Sequence, residues 1–163
     1  MWPRPPEASP FAAPAVAAWT CHRAPSPRVL VAATAAPCDG IAGTPGIGDP
    51  AAACGLLEAL ACELRRVDSP RLAVDALTHV RFDLVLVDGR DPSSFGADTV
   101  HAIRLHESLA EATPVAIAVL VARPPLRASR VYLALGADEV LAAPVTRAVL
   151  AALLARWCEP PHA

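Results

Sequence analysis

Short apolar runs punctuate the chain, and each is followed by a stretch with helical spacing. The runs are Arg28-Val29-Leu30-Val31-Ala32-Ala33, Glu63 to Val67, Phe82-Asp83-Leu84-Val85-Leu86-Val87-Asp88, Val115 to Val121, and Glu139 to Ala142. Runs this short and this apolar, without alternation of polar residues, fit strands covered on both faces. The intervening segments predict helices near 51–61, 71–80, 98–109, 127–135 and 147–157. Ser69-Pro70 supplies a cap and a first-turn proline for the second of these, Gly136 a stop for the fourth, and Thr146 a cap for the last. Leu72, Val74, Ala76 and Leu77 are expected to line one face of the second helix, and Val100, Ile103 and Leu109 the inner face of the third.

Strands and helices in strict alternation, joined by short connections, imply a three-layer α/β fold with a parallel sheet between helices. A flavodoxin-like order 2-1-3-4-5 suits this length. Residues 1–27 hold many prolines and read as a disordered leader, residues 28–158 as the domain, and residues 159–163 as a tail.

Composition narrows the chemistry. The chain has 163 residues, is 54% hydrophobic, and carries a formal net charge of −2. Its 14 basic residues are all Arg and are dispersed, so no footprint for nucleic acid or an anionic membrane is visible. With no Lys, a P-loop lysine or a Schiff-base lysine is excluded. The 5 cysteines, Cys21, Cys38, Cys54, Cys62 and Cys158, lack CxxC spacing and read as free thiols in a reducing, cytoplasmic setting. Gly40, Gly43, Gly46 and Gly48 follow the first strand without GxGxxG spacing, so a loop insertion is favoured over phosphate binding. His101 and His106 are spaced too far around a helix to form a metal pair.

Asp88 ends the third run, at the strand tip where doubly wound domains keep their chemistry. Gly136-Ala137-Asp138-Glu139-Val140-Leu141-Ala142-Ala143-Pro144 resembles the GADDYLVKP stretch of response-regulator receiver domains. Pro92, Gly96 and Ile103-Arg104 fall at receiver-like offsets from Asp88. The resemblance covers residues 28–157 and implies Asp88 as the phosphoacceptor equivalent. It also implies an acidic pair after the first strand, a hydroxyl after the fourth and a Lys after the fifth. Here those positions hold Ala32 and Ala33, Val121 and Ala143, and Val140 replaces the aromatic switch residue. Within receiver-like families, Asp88-Gly89-Arg90, Phe95-Gly96-Ala97-Asp98 and Leu109-Ala110-Glu111-Ala112-Thr113 look similar to the degenerate N-terminal domain of type 8 cAMP-specific phosphodiesterases. That likeness implies a regulatory fragment or short isoform, adjacent to PAS and phosphodiesterase domains and itself unable to hydrolyse cAMP.

The reading is therefore a non-catalytic, receiver-like module without a cofactor, acting through a protein partner, an adjacent domain or a homodimer. Tyr132, Leu133, Val140, Val149, Leu153 and Trp157 are the candidate interface, with a core role weighed against it. A residual Mg²⁺ site at Asp88 and Asp91 competes with a plainer role for Asp88, capping its turn by accepting backbone N–H bonds. The alternatives are a phosphorelay receiver that accepts phosphate on Asp88, and a small nucleotide-binding α/β protein.

Overall fold

The structure, a computed structural model, describes residues 26–34, 50–90, 94–122 and 126–158. The expected tail lies outside these residues, as do all but the last two residues of the leader, the glycine loop and Asp91. The strands are β1 (Arg28–Ala32), β2 (Glu63–Val67), β3 (Leu84–Asp88), β4 (Ala116–Val121) and β5 (Glu139–Ala142). The helices are α1 (Pro50–Ala59), α2 (Pro70–His79), α3 (Phe95–Leu109), α4 (Leu126–Leu135) and α5 (Arg147–Trp157). All neighbouring strands pair in parallel, in the order β2-β1-β3-β4-β5.

Side chains alternate across the strands, which sorts the core into two layers. Leu30, Val85, Val87, Ile117 and Val119 meet Ala73 and Ala76 of α2, Val100 and Ile103 of α3, and Tyr132 of α4. Val29, Val31, Leu84, Leu86 and Leu120 meet Leu57 of α1 and Leu150, Leu153 and Leu154 of α5. Leu30, Leu57, Leu84, Ile103, Ile117 and Leu150 are wholly enclosed, and each such side chain contributes on the order of 1.5–3 kcal/mol of transfer free energy. β2 forms one edge of the sheet, and its Glu63, Arg65 and Arg66 are exposed.

Local signals account for the boundaries. The Ser69 hydroxyl accepts from Leu72 N and the Thr146 hydroxyl from Val149 N, capping α2 and α5 where the sequence places caps. α4 stops at Gly136, whose φ of +108° few L side chains adopt.

Three expectations need correction. α3 begins at Phe95 rather than 98, because its first turn uses no side-chain-to-backbone cap and the Ser94 hydroxyl instead donates to Asp98 Oδ2 at 2.6 Å. Leu72 is exposed, because the buried stripe of α2 runs through Ala73 and Ala76. Leu109 is 78% exposed, because the last inward position of α3 belongs to Glu107.

Candidate functional site

β3 runs between β1 and β4 and carries Asp88 to its carboxyl end, opposite Leu120. Gly89 N still donates to Leu120 O at 2.8 Å, so the sheet ladder extends one residue beyond the aspartate. The chain then turns back on the carboxylate. Arg90 N donates to Asp88 Oδ1 at 3.1 Å, Arg90 Nε to the same oxygen at 2.9 Å, and Arg90 Nη2 to Oδ2 at 3.2 Å. The backbone N–H bond is the turn cap read from the sequence, and the guanidinium adds a planar fork to it. Asp88 is 2% exposed and the Arg90 side chain 11%, so the pair is largely removed from water.

Glycine is required beside the pair. A Cβ on Gly89 would lie 2.5 Å from Val119 Cγ1 and 2.9 Å from Tyr132 Cζ. One on Gly96 would lie 2.7 Å from Tyr132 Oη and 3.0 Å from Asp88 O. The Tyr132 hydroxyl donates to Gly89 O at 3.3 Å. α4 is thereby seated, through one aromatic ring, against the end of β3 and the first turn of α3.

The surrounding strand tips are apolar. Ala32, Ala33 and Val121 are buried and Ala143 is half-buried, and they offer no carboxylate, hydroxyl or ammonium. A groove of about 320 Å³ lies beside Ala33, Thr34, Arg66 and Val67. The receiver fold implies Mg²⁺, a hard cation that needs several oxygen ligands. The described residues do not fit it: both Asp88 oxygens accept from Arg90, the β1 tip brings alanines, and no group of three His, Cys, Asp or Glu converges.

Asp83, Asp138 and Glu139 lie at the other end of the sheet. Asp83 Oδ2 accepts from Arg28 N at 2.8 Å. Asp138 Oδ2 accepts from Ile117 N at 2.8 Å and from Arg104 Nη2 at 2.9 Å. Arg104 also donates to Gly136 O, Val115 O and the buried Glu107 carboxylate, whose other oxygen accepts from Val115 N. The sequence reading missed this network. Its signal was the Arg104 and Glu107 spacing of one helical turn.

Of the candidate interface residues, Tyr132 and Leu153 are core side chains, turned inward on the buried stripes of α4 and α5. Val140 is partly buried. Val149 and Trp157 are exposed, and Trp157 Nε1 donates to Glu139 Oε2 at 3.1 Å. Cys54, Cys62 and Cys158 are free thiols. Burial, followed by the nearby charges of Asp83 and Cys62, pushes the Cys158 thiol up to about 12. No described helix is long and apolar enough to cross a membrane.

No protein-family profile matches the sequence. Over 102 residues, 63% of the chain, it is 32% identical to the sensor histidine kinase GacS of Pseudomonas protegens. That stretch spans only 11% of GacS. The receiver domain of a sensor histidine kinase from Pseudomonas aeruginosa, solved with magnesium in its active-site cleft, superimposes with a TM-score of 0.62. It is 24% identical and is covered over 97% of its length, with 81% of this chain. The receiver domain of a Saccharomyces cerevisiae response regulator, solved with a histidine phosphotransfer protein, gives a TM-score of 0.64 at 19% identity, covering 82% of this chain and 89% of that one. The chain thus has the receiver fold. The finer likeness to type 8 cAMP phosphodiesterases gains no support from these comparisons.

Proposed function

We propose that this chain is a signalling module of the two-component, phosphorelay type that works by protein contact and catalyses no reaction. The observation that carries the reading is the site itself: an aspartate at the receiver position whose carboxylate is already paired, with Ala32, Ala33, Val121 and Ala143 at the carboxyl ends of β1, β4 and β5. Acyl phosphate formation adds negative charge to a carboxylate, and receivers offset that charge with a cation and hydroxyl or ammonium donors. Here those donors are replaced by methyl groups. The likeness to a sensor kinase supports adjacent signalling domains or a phosphotransfer protein as the class of partner, and a cytoplasmic address follows from such a role. Val149 and Trp157, with Val131 and Leu133 of α4, supply exposed apolar side chains for the contact.

Incubation with acetyl phosphate and Mg²⁺, followed by intact mass measurement, tests the reading. The expected result is no phosphoryl adduct. An adduct that is absent from Asp88→Ala would instead establish the second reading, a phosphoacceptor at Asp88, which the sequence likeness to GacS favours. The nucleotide-binding alternative requires that ATP or GTP raise the Tm, since a ligand held only by the native state must stabilise it.

A further inference from the structure

We infer that Arg90 is the resident cation of this site, covalently tethered in place of the metal that the fold implies. The inference rests on the receiver reading and concerns its regulation.

A guanidinium is planar, weakly hydrated and always charged, so it suits a carboxylate that is 2% exposed better than a strongly hydrated ion does. Two of its nitrogens address the two carboxylate oxygens separately, at 2.9 and 3.2 Å, and the Arg90 backbone N–H adds a third bond. Being two residues away in sequence, Arg90 needs no capture from solution. Mg²⁺ keeps most of its water and demands octahedral oxygen ligands, and the described residues offer it this one carboxylate. To bind, it would have to displace the fork and then sit beside the displaced positive charge. The neighbourhood also holds the turn fixed, because Gly89 and Gly96 admit no Cβ and Tyr132 closes over both. The charge of Asp88 is therefore balanced permanently, and the state of the domain does not follow the metal concentration.

Manganese is the probe, since a paramagnetic ion broadens nearby amide resonances even when it binds weakly. In wild type, about 1 mM MnCl₂ is expected to leave the Asp88, Gly89 and Arg90 amides sharp, because Arg90 already engages both Asp88 oxygens. In Arg90→Met, the freed carboxylate is expected to draw the ion, so that the amides of residues 88–90 broaden and the Tm falls. Adding Asp88→Asn to Arg90→Met should remove the broadening and recover most of the lost Tm, which keeps the test decisive where Arg90→Met alone folds poorly. Equal broadening in wild type and Arg90→Met, or an Arg90→Met variant as stable as wild type and still sharp, would overturn the inference.

Phosphoryl uptake separates this inference from the functional reading. An Asp88 adduct formed in EDTA would leave Arg90 as the working cation and sink the contact-only reading. One formed only with Mg²⁺ would sink both. No adduct together with broadened wild-type amides would sink the tethered cation alone.

Discussion

At the carboxyl end of β3, Asp88 and Arg90 satisfy each other two residues apart, and the link crosses no other element. At the amino ends of β4 and β5, Arg104 ties α3 to Val115, to Asp138 and to the Gly136 carbonyl, joining segments far apart in sequence. Each end holds a carboxylate less than a tenth exposed, Asp88 paired with Arg90 at one and Glu107 paired with Arg104 at the other. A local pair restrains a loop. Arg104 and Glu107 lie on the same helix, but their further bonds to Val115, Gly136 and Asp138 tie α3 to other segments. This cluster therefore restrains the packing of the domain, and an unpaired buried charge there is costly. Among the described residues, the Asp88 pair closes on its own turn, while the Arg104 cluster at the opposite end links α3 to the starts of β4 and β5.

The sharpest way to break this contrast is Arg104→Ala. It leaves the Glu107 carboxylate buried with one backbone donor and removes donors from two carbonyls, so a loss of about 3 kcal/mol is expected in urea unfolding. Arg104→Met with Glu107→Gln should recover part of it. A loss under about 0.5 kcal/mol, the level of an exposed surface pair, would remove the distinction between the two ends.

At the other end, Gly96→Ala is expected to cost about 1–3 kcal/mol, the usual penalty of overpacking, because its Cβ meets Tyr132 Oη at 2.7 Å. Adding Tyr132→Phe removes that oxygen and should recover part of the loss. The contacts to Asp88 O and Gly89 Cα persist.

The Cys158 thiol sharpens the comparison through pH. Its folded value, raised from 9.0 to about 12, means that the folded state holds the proton more tightly than the unfolded chain. Its contribution is fully present below pH 9 and is lost as pH rises toward 12. Urea midpoints of wild type should drift down between pH 8.5 and about 10.5 more steeply than those of Cys158→Ala.

The smallest effect belongs to Arg28→Gln. Its pair with Glu63 is more than half exposed on both sides, and a loss of about 0.5 kcal/mol or less is expected.

The fold was legible because the strands are apolar on both faces and the helix caps are written in local residues. Ser69-Pro70, Gly136 and Thr146 each act within one turn of themselves, so reading them needs no tertiary knowledge. The start of α3 was harder, because Ser94 bonds to a side chain, Asp98, and caps no backbone N–H. Leu109 misled because hydrophobicity alone assigned it inward. The position belongs to Glu107, which is acceptable in the interior only because Arg104 and Val115 N reach it.

At the site, the apolar strand tips at Ala32, Ala33, Val121 and Ala143 are visible in sequence, and so is the turn at Asp88. The fork from Arg90 is not, since D-x-R spacing alone does not say whether the arginine folds back or faces solvent. For Tyr132 the sequence leaves an interface role and a core role open, and the structure places it in the core. Its ring fits inward because Gly89 and Gly96 leave the space.

The charged edge strand has a consequence for assembly. β2 shows Glu63, Arg65 and Arg66 to solvent, and β5, at the far edge, is only 4 residues long. An incoming extended segment would have to align its backbone along those charges on one side or find a very short template on the other. Strand addition is disfavoured at both of these borders.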